Sequence, residues 1–88
     1  MKIDFLVAWS IVNRNGSHRT YTRLFNNQEE AERHYQKKLT TRTTWEIWAI
    51  RSEHITIREG YTNEQGVYVP PYVQTKAEYI HEPKFLGV

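Results

Sequence analysis

Residues 3–12 of the 88-residue chain carry apolar side chains at both odd and even positions. Ile3, Phe5, Val7, Trp9 and Ile11 fall on one side of an extended chain; Leu6, Ala8 and Val12 fall on the other, interrupted by Asp4 and Ser10. Side chains alternate across a strand, so a strand with one wet face alternates apolar and polar residues. This one does not, and its sheet must be covered on both faces. The chain offers a single convincing helix, which can cover only one. The second cover is expected to be the C-terminal tail, a twin subunit or a target.

Residues 3–13 therefore read as a strand, followed by an Asn15-Gly16 turn. Asn-Gly favours a two-residue type I′ hairpin, because that turn needs positive φ at both central positions. A second strand is expected over residues 17–25. A two-residue loop would set Val12 opposite Arg19, Ser10 opposite Tyr21 and Ala8 opposite Arg23. On the other face Trp9 would meet Thr22, and Val7 would meet Leu24. The register matters, since a slip of one residue exchanges the faces.

Asn26-Asn27 opens the helix, with Glu29 or Glu30 three residues on in a capping arrangement. Acids at Glu29, Glu30 and Glu32 and bases at Arg33, Lys37 and Lys38 suit the helix dipole. Ala31, Tyr35 and Leu39 form a narrow apolar stripe, which leaves Arg33, Gln36 and Lys37 in water. The threonine-rich run 40–44 ends the helix. Residues 45–50 read as a strand, again apolar on both sides: Trp45, Ile47 and Ala49 against Trp48 and Ile50. A change of direction is expected near Ser52-Glu53, leading into an extended segment 54–61. Val67-Tyr68-Val69 forms a short edge strand that Pro70-Pro71 ends. In the tail, Thr75 with Glu78 resembles a capping box for a turn or two of helix, stopped by Pro83.

The expected fold is α+β: an antiparallel sheet in ββαββ order, one helix on one face, and the tail or a partner on the other. Residues 1–69 form the sheet-and-helix domain, and 70–88 a C-terminal extension packing on that domain or on a partner. Pro70-Pro71-Tyr72 is either a corner returning the chain over the sheet or an extended segment that docks on another protein.

Composition narrows function mainly by exclusion. A chain this short holds one core and buries only about 60 % of its unfolded surface. It has no cysteine, which removes disulfide and thiolate chemistry and fits a reducing cytoplasm. The start lacks a signal-peptide pattern, and no stretch reaches membrane-spanning length, so no membrane association is expected. The four histidines, at 18, 34, 54 and 81, have no metal-ligand spacing, and the four glycines form no phosphate loop. No catalytic residue, metal or cofactor is expected.

Trp9-Ser10-Ile11, Tyr21-Thr22-Arg23 and Arg33-His34 give the first third of the chain a loose similarity to the opening of GIY-YIG nucleases. That resemblance implies nuclease activity. The first motif, however, has Trp9 where a tyrosine belongs, and the second lacks its glycine, so the roles do not carry over residue by residue.

Three Trp, six Tyr and three Phe are an unusual load for this length, and such residues supply cores and interface hot spots alike. The expected function is a small non-enzymatic module that binds another protein as an inhibitor, adaptor or accessory factor. In general character it is similar to the small proteins that bacteriophages make to bind host or defence enzymes. The expected contact residues are Arg19, Tyr21, Arg23 and Trp48 on the sheet, with Tyr68 and Tyr72 in the tail. A homodimer is one alternative. Nucleic acid is the other, since Arg19, Tyr21 and Arg23 share a strand face and would mix cations with stacking rings if Trp48 joined them. The net charge of +2 is small for a dedicated DNA-binding domain.

Overall fold

The computed structural model describes residues 1–87. Seven elements follow in order: β1 (Lys2–Val12), β2 (His18–Phe25), α1 (Gln28–Leu39), β3 (Thr44–Arg58), β4 (Tyr61–Thr62), β5 (Tyr68–Val69) and β6 (Tyr72–Phe85). β1, β2, β3 and β6 form one antiparallel sheet in the spatial order β2-β1-β3-β6, and β4 pairs with β5 in a separate hairpin. The α+β class with a single helix therefore holds. The element order is longer than ββαββ because the β4-β5 hairpin intervenes before the last sheet strand.

α1 lies on one face, mainly over β1 and β3 and less over β2. Phe5, Val7, Ile47 and Ala49 from the sheet meet Ala31 and Tyr35 from the helix, and Ile3, Trp9, Phe25, Leu39, Ile80 and Leu86 pack around them. The stripe Ala31, Tyr35, Leu39 is thus the buried edge of the helix. Asn27 is its cap: the side-chain oxygen accepts hydrogen bonds from the Glu29 and Glu30 backbone N–H groups at 2.8 and 3.3 Å. The threonines close the other end, with the Thr41 and Thr44 hydroxyls donating to the carbonyls of Lys37 and Lys38.

Three expectations about the path of the chain fail. The β1-β2 register is the first. The loop is three residues long, not two: the Gly16 N–H reaches the Asn13 carbonyl, Asn13 pairs with Ser17, and Gly16 alone takes a positive φ of 84°. This is a turn followed by a glycine bulge, an alternative that Asn-x-x-Gly suits as well as Asn-Gly suits type I′. Every pair shifts by one, giving Trp9 opposite Tyr21, Val7 opposite Arg23 and Leu6 opposite Leu24. Tyr21 and Arg23 thus turn to the helix side, away from Trp48.

The second is the bend at Ser52-Glu53. β3 runs through it unbroken, and its fifteen residues span about 50 Å at the usual strand rise. The third is the tail. Thr75 and Glu78 lie within β6, paired to His54 and Arg51, so no helical turn forms there. The tail adds a fourth strand edge-on and does not lie across the open face. The ladder shifts between Ile50↔Tyr79 and Ala49↔His81, leaving Ile80 as an extra residue. Ile80 packs on the core, while the His81 ring stacks on Tyr35 at 3.9 Å and its Nε2 meets Glu32 at 2.6 Å. Pro83 falls where the ladder shifts again, on the outer strand, where proline is tolerated.

β1 pairs with β3 only as far as Lys2↔His54. Beyond that point β3 and β6 continue as a two-stranded arm, capped by the β4-β5 hairpin, which stretches the molecule to 58 × 30 × 17 Å.

Candidate functional site

Two surfaces stand out, on opposite faces of the sheet. The first is the uncovered face. Leu24, Leu6, Ile50 and Tyr79 lie directly opposite one another across all four strands, forming one apolar row. Trp48 and Ala8 occupy the next row, and Val12 lies further along β1. Leu24 is 64 % exposed and Tyr79 54 %, while Leu6, Val12, Trp48 and Ile50 are half-buried by one another. A hollow of about 230 Å³ opens beside Ile50, Ala77 and Tyr79. At the far end Trp45, expected on the side of Ile47 and Ala49, stands on this face against His18 and Phe85, because the ladder shifts between Ser10↔Glu46 and Ile11↔Thr44 and leaves it as the extra residue. Both faces of β1 are therefore apolar, as its pattern demands, and among the described residues no element covers this one.

On the arm Val73, opposite Thr56, continues this face; Tyr72 beside it on β6 points to the other side, and Tyr61 and Tyr68, exposed as well, fall on opposite sides of the β4-β5 hairpin. At the arm's root Asp4, His54 and Thr75 join β1, β3 and β6: His54 Nε2 lies 2.9 Å from the Asp4 carboxylate, and Nδ1 2.9 Å from the Thr75 hydroxyl. A carboxylate, an imidazole and a hydroxyl in that order are the parts of a nucleophilic triad. Here they stand on a pleated face, whose N–H groups lie in the sheet plane and cannot converge on an oxyanion above it. The trio clasps three strands together.

The second surface is a groove between β2 and α1, left because the helix sits away from the edge strand. Arg23, Phe25, Glu30, Arg33, His34 and Lys37 line one section of about 310 Å³. Next to it Trp9, Ile11, Tyr21, Lys38 and Thr41 line a second of about 250 Å³. Trp9 and Tyr21 stack at 5.9 Å, Lys38 lies over the Trp9 ring at 4.9 Å, and the Arg19 and Arg23 guanidiniums lie over Tyr21 and Phe25. The His34 ring is wedged against Trp9 and Phe25, with its Nε2 buried and without a hydrogen-bond partner. Burial first, then the charges of Arg23, Lys38 and Lys37, hold His34 below its ordinary pKa.

The residues expected to form one contact surface are thus split among three places. Arg19, Tyr21 and Arg23 line the groove side of β2, Trp48 stands on the opposite face, and Tyr68 and Tyr72 lie out on the arm. Leu24 and Tyr79 are not among the expected contact residues: a two-residue loop sets Leu24 opposite Val7 on the other face, and a tail folded over the sheet makes Tyr79 part of the cover. On the helix, Arg33, His34, Lys37 and Lys38 follow a spacing of three and four residues, which marks a basic flank beside the apolar stripe.

Among the described residues no three His, Asp or Glu side chains converge as metal ligands, and no helix is long and apolar enough to cross a membrane. The chain matches no family model, no curated protein and no solved structure.

Proposed function

We infer that this chain is a protein-binding module, acting by contact as an inhibitor, adaptor or accessory factor, and that its docking surface is the uncovered sheet face continued along the arm. The row Leu24, Leu6, Ile50, Tyr79 carries this reading. Large apolar side chains aligned across four strands, with no layer above them, are what a partner's apolar surface buries. The arm adds reach. A two-stranded ribbon gains little stability from itself in water, so the side chains it exposes, Val73 in line with the uncovered face and Tyr68 and Tyr72 beyond it, serve better as contacts than as core. Tyrosine supplies such contacts at low cost in conformational entropy.

Photo-crosslinking tests this directly. A photoreactive phenylalanine in place of Tyr79 is expected to yield an adduct with a second, different protein in the producing cell, and Leu24→Lys should abolish it. Absence of any adduct, or an adduct only with another copy of this chain at twice its mass, overturns the reading.

A further inference from the structure

We propose that the groove between β2 and α1 is a second, independent binding site, and that it holds single-stranded nucleic acid, with phosphates against Arg23, Arg33 and Lys37 and a base on the Tyr21 ring. Charge is the first observation. Three cations and one carboxylate line the first section of the groove, a local excess equal to the formal net charge of the entire chain. A whole-molecule charge of +2 understates this field because most acidic residues lie outside the helix; Glu53 and Glu78, for example, are engaged by Arg51 at the arm, while Glu29, Glu30 and Glu32 share α1 with the groove's cations. Among the described residues Arg19, Arg23, Lys37 and Lys38 make no ion pair, and Arg33 has only the exposed Glu29 at 3.4 Å.

The second observation separates nucleic acid from an acidic peptide. Carboxylates need cations alone, whereas the groove side of β2 alternates planar groups, Arg19, Tyr21, Arg23 and Phe25, at every second residue. Two strand rises separate them by about 6.8 Å. Aromatic rings and guanidinium planes at regular intervals beside a cationic channel are how sheet surfaces hold unpaired bases and their backbone. The Tyr21 ring is held beside Trp9 and under the Arg19 guanidinium, which an incoming base displaces or stacks upon, and Trp9 is held in turn by His34 and Lys38. Hydroxyls of Thr41 and Thr43 border the same section and offer hydrogen bonds to sugar or base edges.

Fluorescence anisotropy with a short labelled oligothymidylate, using the full chain at low salt, tests the site. Binding is expected to weaken linearly with log salt. The double variant Arg23→Gln, Lys37→Gln should shallow that slope by about 1.4, since each phosphate contact on a single strand contributes about 0.7. Tyr21→Ala should weaken binding roughly tenfold or more. Lys84→Gln, which removes a charge far from the groove, should change neither. His34 ring resonances, followed by NMR, should shift on adding the oligonucleotide, and this reports on the groove even where a variant is poorly folded. No affinity at low salt overturns the proposal. So does equal binding of poly-glutamate, or binding indifferent to Tyr21. Because Leu24→Lys lies on the other face, it should leave oligonucleotide binding intact while removing the protein crosslink, so the two sites fail separately.

Discussion

Trp9 and Tyr21 face each other across β1 and β2, their rings stacked at 5.9 Å and 22° on the helix side of the sheet. That pairing exists only because the first hairpin has a three-residue loop. With one residue fewer, Tyr21 would stand beside Ser10 on the opposite face, and the basic edge of the helix would have no ring to oppose it.

Gly16 should therefore be sensitive for a backbone reason alone. Its φ is +84°, and nothing lies within 4 Å of where a Cβ would sit. Gly16→Ala is expected to cost about 1 kcal/mol, the penalty of a left-handed conformation for an L side chain. Gly16→Asn should recover most of it. Urea unfolding of the two variants checks this, and equal stability of Gly16→Ala and wild type would remove the turn from the account of the register.

The capping asparagine is a sharper test of the helix start, where two candidates stand side by side. Asn27 accepts from two otherwise unpaired N–H groups. Asn27→Ala should destabilise the fold by about 1 kcal/mol. Asn26→Ala should stay within about 0.5 kcal/mol. Denaturant midpoints decide between them.

Much of this was legible in the chain itself, and the failures share a cause. The two-faced apolar pattern of β1, the stripe Ala31, Tyr35, Leu39 and the core placement of Ile47 and Ala49 follow from periodicity, which burial enforces strongly. Register depends on one loop residue, and Asn13-Arg14-Asn15-Gly16 serves two turn types equally well. Asn63-Glu64-Gln65-Gly66 closes the second hairpin with the same bonds, Gly66 N–H to the Asn63 carbonyl and Asn63 N–H to the Val67 carbonyl. The arm was hidden because its residues are exposed on both sides: Thr75, Lys76 and Glu78 show no apolar alternation, and β6 is held by backbone pairing with β3. The groove was hidden because it needs α1 beside β2, a tertiary relation that neither segment encodes alone.

Body and arm should respond very differently to the same substitution. Ile47 is completely buried beneath the helix, whereas Ile57 lies exposed on the arm, one residue from the end of the same strand. Ile47→Ala should cost about 2–5 kcal/mol, combining lost burial with a cavity. Ile57→Ala should fall within about 0.5 kcal/mol. Comparable losses at both sites, measured by urea unfolding, would mean that the arm is part of the cooperative core.

The depressed pKa of His34 makes stability fall on acidification, and the sign follows from which state binds the proton. In the fold, burial and the charges of Arg23, Lys38 and Lys37 disfavour the imidazolium, while the unfolded chain protonates near the ordinary value of 6.5. Above that value both states carry a neutral ring and stability is unaffected. As pH falls through 6.5 the unfolded state takes up a proton that the folded state resists, and the folded state loses ground until its own lower pKa is reached. Glu53, held below the usual carboxylate range mainly by its hydrogen bond from Arg51, adds a further loss only in more acidic solution. His34→Phe keeps a ring against Trp9 and Phe25 and removes the buried unpartnered nitrogen. Between about pH 7.5 and about pH 5.5 the urea midpoint should fall less in the variant than in the wild type. An identical loss in both proteins would place the acid sensitivity on another group.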